Sequence, residues 1–263
     1  MPTIAITVIG HNEGHLLSRA LESVRWADQI VYVDCESNDD AIEVARRYTD
    51  RVFSQPNREN LNVNKSYAIE QATTDWVFYL DPDEVVPAKL AEEIQSVIAT
   101  SNSMVAYKMP RRNHYFGRWL RHGGAYPDRQ LRLFRRGKAH FPCKDVHEHL
   151  LVDGKVGRLR EAMDHYPSNT VLDSLRKIDF YSSFYGRELA RSGKKPTIAM
   201  AIQYMVIMPA GRFVRRYFFK QGFLDGWPGF LQAVIWGMDF QLRFFKFWHH
   251  YKQGVSPPEK PTP

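Results

Sequence analysis

Trp76-Val77-Phe78-Tyr79-Leu80-Asp81-Pro82-Asp83-Glu84 decides how the rest of the chain is read. Five apolar residues in a row describe a strand buried on both faces. Three acids follow at its carboxyl end, and Asp81 and Asp83 stand two apart, so an extended backbone would set their side chains on one side. Ligands of open α/β sheets lie at the carboxyl ends of the strands. A carboxylate pair there suits a divalent cation that bridges phosphate oxygens. The other reading of these residues is a solvated acidic turn before a helix starting near Pro87, with Glu84 favouring the helix N-terminus.

Working outward, Ile4-Ala5-Ile6-Thr7-Val8-Ile9 is a strand, followed by Gly10-His11-Asn12-Glu13-Gly14 and an amphipathic helix near His15–Arg25. Ile30-Val31-Tyr32-Val33-Asp34 is the next strand, and Ser37-Asn38-Asp39-Asp40 caps a helix over about 41–48. A short strand at 51–54, a helix at 62–71, the opening strand, a helix at 87–99 and a strand at 104–109 complete the unit. Strand alternating with helix implies a mostly parallel sheet with right-handed crossovers. Neither a dinucleotide-binding glycine fingerprint nor a phosphate-binding P-loop is present.

Past residue 110 the pattern changes. Arg129-Gln130-Leu131-Arg132-Leu133-Phe134-Arg135 alternates like a strand with a basic face, and Gly123-Gly124 ahead of it requires a loop. Val146-His147-Glu148 and Asp164-His165-Tyr166-Pro167 read as short strand-like segments. From Asn169 the chain reads as helical, and residues 256–263 as a disordered tail.

The chain has 263 residues, 44% hydrophobic and 25% charged, enough for a substantial core. Cys35 and Cys143 have neither metal nor disulfide spacing and suit a reducing compartment. The chain opens directly on a strand, without the pattern of an export signal, and holds no apolar run of membrane-spanning length. The net charge of +7 hides an asymmetry. Residues 1–100 carry 8 Lys/Arg against 17 Asp/Glu, and residues 101–263 carry 28 against 12. A basic half of this kind expects an anionic partner. Between Gly211 and Lys252, basic residues mix with many large aromatics, and Leu231, Ile235, Met238, Leu242 and Phe245 fall on one helical stripe. That combination describes either a helix in a membrane interface or helices packed on the rest of the protein, with a contact between copies as a further use. No nucleic-acid motif accompanies the basic residues.

Together the motifs resemble a GT-A glycosyltransferase of family 2: strand, Asn-Glu, helix, strand ending in Asp, Ser-x-Asp turn, a helix with Lys-x-x-Ala, Asp-Trp-strand, then Asp-x-Asp. Tyr115-Phe116-Gly117-Arg118-Trp119, the run from Arg121 to Arg136, and Val146-His147-Glu148 resemble the branch containing inner-core lipopolysaccharide β-1,4-glucosyltransferases that act on heptose. The resemblance covers about residues 3–250 and implies a catalytic domain over 1–168. Its nucleotide-sugar and metal half would be 1–100 and its acceptor half 101–168, followed by a C-terminal amphipathic helical extension over 169–255.

Carried over position by position, the resemblance implies that Asn12, Glu13 and Asp34 hold uridine and ribose, with Lys65 facing the nucleotide. Asp81 and Asp83 would hold Mg²⁺ or Mn²⁺, joined by His165. Gly123 and Gly124 would let backbone approach the donor sugar, and Arg129 and Arg132 would meet diphosphate or a phosphorylated acceptor. An inverting transfer needs a base for the acceptor hydroxyl; Glu148 is the first choice and Asp128 the second. The expected protein is a metal-dependent transferase of glucose from a UDP-sugar to a lipopolysaccharide heptose. It would be peripheral on the cytoplasmic face of the inner membrane, with an anionic glycolipid as acceptor and no nucleic-acid partner. A polyprenyl-phosphate or other envelope glycan transferase is the alternative enzyme, and a basic lipid- or RNA-binding module the alternative of another class.

Overall fold

The computed structural model describes residues 1–100, 103–143 and 149–254. The chain divides into two compact units: Met1–Arg112 with Asp128–His165, and Asn113–Pro127 with the residues from Tyr166 onward. The segment carrying Gly123-Gly124 therefore groups with the C-terminal helices, although the sequence reading placed it in the acceptor half of a domain ending at 168.

In the first unit, β1 (Ile4–Gly10), β2 (Gln29–Asp34), β3 (Val52–Ser54) and β4 (Trp76–Leu80) are parallel in the order β3-β2-β1-β4. Successive strands build outward on one side of β1, and β4 is then laid on the other. That reversal creates a crevice at the carboxyl ends of β1 and β4. Antiparallel strands continue the sheet: β8 (Asp128–Arg135) pairs with both β4 and β6 (Met104–Tyr115). Beyond β6 the order runs to β12 (Met163–Ser168) and the two-residue β5 (Glu84–Val85), and β11 (Lys155–Arg158) also pairs with β6. A separate antiparallel pair is formed by β9 (Ala139–His140) and β10 (Leu151–Val152).

The apolar pattern explains why both sheet faces are covered. Ile4, Ile6, Val8, Tyr32, Trp76, Phe78 and Leu80 point to one face. There they meet Leu17, Ala20 and Leu21 of α1 (Gly14–Glu22), and Leu90 and Ile94 of α4 (Ala88–Ala99). α2 (Ala41–Arg46) adds Val44 and Ala45. On the other face Val31 and Val33 pack on Ala68 of α3 (Leu61–Glu70), and Val77 and Tyr79 pack with Phe134. Burying one such large side chain is worth about 1.5–3 kcal/mol, so these two layers hold the strand ends in place.

In the second unit, β7 (Arg118–Trp119) folds back antiparallel on residues 114 and 115. Phe116 and Gly117 form the connecting turn, both with positive φ (53° and 73°), as a tight hairpin requires. α5 (Val171–Arg191) opens with a capping box made by Thr170 and Asp173. α6 (Ile198–Ile202), a π turn at Gln203–Ile207, α7 (Met208–Val214) and a second π turn at Arg215–Phe219 run on without a break. α8 (Gly226–Lys252) follows. Among the described residues no helix is long and apolar enough to cross a membrane.

Of the expected apolar stripe on α8, Ile235 is buried but Met238 and Phe245 are exposed. Phe240, Phe244 and Phe247 are buried as well, and the last two pack with Ala190 of α5 and with Tyr204 and Met205. The helix is apolar on more than one face, and packing selects the face opposite the small residues of α5. Ile178, Ser182, Gly186 and Ala190 recur there every four residues and are all buried. A Cβ on Gly186 would lie 2.7 Å from Lys246 Cβ and 3.0 Å from the Phe247 backbone nitrogen. Gly186→Val should therefore force the two helices apart and cost about 1–3 kcal/mol. A lowered urea midpoint with an unchanged m-value is the expected result; an unchanged midpoint would refute the close approach.

Candidate active site

The carboxyl ends of β1 and β2 are clasped together. Cys35 N donates to Gly10 O at 2.8 Å, and the His11 ring Nδ1 lies 2.6 Å from Cys35 O. Asn12, held in the left-handed region (φ 56°), donates its backbone N–H to Ser37 Oγ at 3.0 Å. Its side-chain Oδ1 accepts from Asn38 N at 2.7 Å. Buried Asp34 accepts from Ser37 N at 3.0 Å. Burial first, and the Asp34 charge next, push the neighbouring Tyr32 phenol upward. Asp39 accepts from Gly14 N, capping α1 from the other loop, and from Ala41 N at the start of α2. Glu13 precedes α1 without a side-chain cap bond to it. Asn12 and Asp34 thus stand together at the crevice, with Glu13 beside Asn12 in the chain.

The acidic segment is a turn, in contrast to the extended geometry expected for Asp81 and Asp83. Glu84 N donates to Asp81 O at 3.0 Å, and Asp81 N donates to Glu84 Oε2 at 3.0 Å. The two aspartates consequently take different partners. Asp81 Oδ1 lies 2.8 Å from Lys65 Nζ, and its Oδ2 accepts from Arg132 Nη2 at 2.7 Å. Arg132 Nη2 also reaches Glu84 Oε1 at 2.5 Å, and Arg111 Nη1 reaches the same oxygen at 2.9 Å. Glu84 is wholly buried, so it serves this ionic cluster and not the start of α4. Burial opposes the charge on Asp81, but Arg132 and then Lys65 outweigh it and hold the carboxyl well below the usual range. Burial alone would lower Lys65 and Arg132; Asp81 reverses this and raises both.

Arg132 owes its position to a bulge. Pairing of β8 with β6 slips between Leu133 and Leu131, leaving Arg132 as the extra residue. Leu131, Phe134 and Tyr79 share one face, and Arg132 stacks at 4.2 Å over the Tyr79 ring. A bulge re-aims a side chain in this way. The basic character shared along this strand hides it: Arg129 is exposed and Arg132 is 3% exposed.

Asp83 meets His165, with Oδ2 and Nε2 3.3 Å apart. The short strand β5 places them, because it pairs antiparallel with β12 in a register that sets His165 opposite Glu84. Two adjacent ligands of one octahedral ion, each about 2.1 Å from it, lie about 3 Å apart. The Asp83–His165 spacing fits such an ion. Asp81 does not offer a second carboxylate in this arrangement, since both its oxygens are in ion pairs. Among the described residues no group of three or more His, Cys, Asp or Glu forms a metal cage.

Asp128 is part of the same cluster. Its Oδ2 accepts from Arg111 Nε at 3.0 Å and Nη2 at 2.6 Å, and its Oδ1 from Gln130 Nε2 at 2.7 Å. Glu148 lies outside the described residues, as does the strand expected around it. In the second unit, Gly123 and Gly124 have positive φ (64° and 74°). Their loop is anchored by buried Asp225, which accepts from Arg121 N and His122 N. Gly123 N donates to Lys220 O, and Gly123 O accepts from Arg216 Nη1. Burial first, and Arg212 next, bring the Arg216 guanidinium down to about 10.

The sequence reading missed Glu84, Arg111 and Asp225 as parts of these arrangements. An acid directly after Asp-x-Asp and an arginine inside an apolar strand were the available signals for the first two. For Asp225 no local signal existed.

The parallel half-sheet, the clasped loops and the acidic turn after β4 belong to a GT-A fold of nucleotide-sugar type. Residues 5–166 match the family described as glycosyl transferase family 2, and the chain belongs to that family. It is 28% identical over 234 residues to the lipopolysaccharide core biosynthesis glycosyltransferase LpsC of Rhizobium meliloti (strain 1021), covering 86% of this chain and 85% of that protein. It is 26% identical over 258 residues to an uncharacterized glycosyltransferase of Rickettsia typhi, covering 94% and 87%. Glucosyl-3-phosphoglycerate synthase from Mycobacterium tuberculosis superposes with a TM-score of 0.37 at 20% identity over 42% of this chain and 44% of that one, too slight a likeness to carry an argument.

Removing Arg132 takes the shared cation from wholly buried Glu84 and part-buried Asp81, leaving them Arg111 and Lys65, and breaking such a network from one side costs about 3–5 kcal/mol. Arg132→Ala should lower the denaturant midpoint accordingly. Because Asp81 is held low in the folded state, its share of this stability is fully present above the ordinary aspartate value of about 3.9 and is lost as pH falls through the depressed value. The gap between wild type and variant should close only in acid; a gap under 1 kcal/mol (about a fifth to a third of the expected loss) at neutral pH would contradict the cluster's role.

Proposed function

We propose that this glycosyltransferase moves a sugar, glucose in the first instance, from a UDP-sugar to a heptose of the lipopolysaccharide inner core, with inversion at the anomeric carbon. The observation that carries the reading is the Asp83–His165 pair, set after β4 in the unit whose β1 and β2 ends carry Asn12 and Asp34. The role of LpsC in lipopolysaccharide core biosynthesis supports the acceptor class.

In this reading Asn12, Glu13 and Asp34 bind the uridine and ribose. Asp83 and His165 hold Mg²⁺ or Mn²⁺, which when bound neutralises the diphosphate as UDP departs. Lys65 and Arg132 hold Asp81 in its ionised form, and part-buried Lys65 faces the nucleotide. Arg129 meets diphosphate or a phosphorylated acceptor, and the Gly123-Gly124 loop lets backbone approach the donor sugar. Glu148 takes the proton from the attacking hydroxyl. Asp128, whose two oxygens already accept hydrogen bonds, orients its surroundings through Arg111 and Gln130. An anionic glycolipid acceptor implies work at the cytoplasmic face of the inner membrane, with the protein bound peripherally. The excess of cations in residues 101–263 suits that location.

Calorimetry of UDP and UDP-glucose with Mn²⁺, with Mg²⁺ and with EDTA tests the donor site. Wild type should bind in a metal-dependent way, and Asp83→Ala should lose that dependence. Glu148→Gln should keep UDP binding and lower kcat about 100-fold or more, the scale of a missing general base. Binding that ignores metal in a folded protein would overturn the assignment of Asp83 and His165, and an undiminished kcat in Glu148→Gln would remove Glu148 as the base.

A further inference from the structure

The helical run from Ile198 to Phe219 carries an exposed apolar row that the reading of residues 211–252 did not include. Ile198, Ile202, Val206, Val214 and Phe218 are 82%, 52%, 60%, 40% and 55% exposed. Exposed Ala210 continues the spacing, so the row steps by four residues throughout. On an α-helix each residue turns about 100°, so a step of four advances about 40° and five steps drift about 200°. Such a row would wrap halfway round the helix. The two π turns, at Gln203–Ile207 and Arg215–Phe219, prevent this. Each admits about one extra residue per turn, taking back about 100° of phase. Two of them cancel the drift, and the row stays on one face for about 30 Å.

At the end of this face Phe219, Phe223 and Trp227 are also exposed, Phe219 by 79% and Trp227 by 68%. Around it the charge has one sign. Residues 189–224 contain seven Lys/Arg and no Asp or Glu, and Lys194, Lys195, Arg215 and Lys220 are exposed. A second copy brought against the same face would set cation against cation. An anionic surface that accepts apolar side chains is the complementary partner, and among the described residues no helix is long and apolar enough to cross a bilayer.

We propose that the row Ile198, Ile202, Val206, Val214 and Phe218 lies in the headgroup layer of an anionic membrane, with the π turns keeping it on one side and the flanking cations meeting lipid phosphates. The inference deepens the reading of a membrane glycolipid acceptor by naming the face that docks. The opposite side of the same helix supplies Arg216 to the Gly123-Gly124 loop, so docking and the loop share one rigid element.

The test is vesicle flotation of the full-length chain with phosphatidylglycerol–phosphatidylethanolamine and with phosphatidylcholine vesicles, at low and high salt. Wild type is compared with Ile202→Glu, Val206→Glu, Phe218→Glu and, at an exposed position of α8, Phe245→Glu. All positions are exposed, and circular dichroism and UDP binding verify folding. The expected result is salt-sensitive flotation with the anionic vesicles only, weakened about tenfold or more by each row variant and little by Phe245→Glu. Row variants that float like wild type overturn the proposal, as does a wild type that ignores anionic vesicles. Self-association abolished by the row variants, without lipid binding, assigns the face to a second copy and overturns it equally. UDP binding is read separately, so failure of the transferase reading shows in calorimetry and leaves flotation to decide this one.

Discussion

Arg132 is the constraint on which the acidic turn after β4 depends. One guanidinium nitrogen spans Asp81 and Glu84, and the plane of the group rests on Tyr79. Arg111 shares Glu84 and extends the chain of charges to Asp128. Two carboxylates after a buried strand would repel and splay if left alone in a medium of low polarity. The cations make a tight turn affordable, and the turn in turn starts β5 in register with β12. His165 therefore reaches Asp83 because Arg132, three residues before the end of β8, neutralises the acids on either side of Asp83.

Much of this architecture is legible in the sequence because it follows from repetition. Strands of five or six apolar residues, alternating with helices whose apolar positions recur every three or four, leave few arrangements open. The expected strands at 4–9, 30–34 and 76–80 and the helices at 41–48 and 87–99 correspond to β1, β2, β4, α2 and α4 within a few residues. Elements without repetition are less visible. β5 has two residues and exists only through its partner, and the bulge at Arg132 breaks the alternation by which β8 was recognised.

The site residues divide along the same line. Asn12, Asp34 and Asp83 sit at strand ends that the pattern locates. Glu84, Arg111 and Asp225 act through side chains distant in sequence, and only tertiary pairing reveals what they hold. The apolar stripe of α8 failed for a related reason. A helix with apolar residues on several faces does not announce which one is buried; Gly186, Ser182 and Ala190 on α5 make that choice.

The clasp between the loops after β1 and β2 has a consequence for affinity. Asn12 is held in a left-handed conformation by hydrogen bonds to Ser37 and Asn38, and Asp34 is fixed by Ser37. The backbone that would receive a nucleoside is thus already ordered before anything binds. Ordering a loop of this size at the moment of association would consume a sizeable fraction of the contact energy. In the proposed role that entropy is lost during folding, so selectivity between nucleosides would rest on the shape of a rigid cradle, and the donor-free and donor-loaded loops should superpose closely.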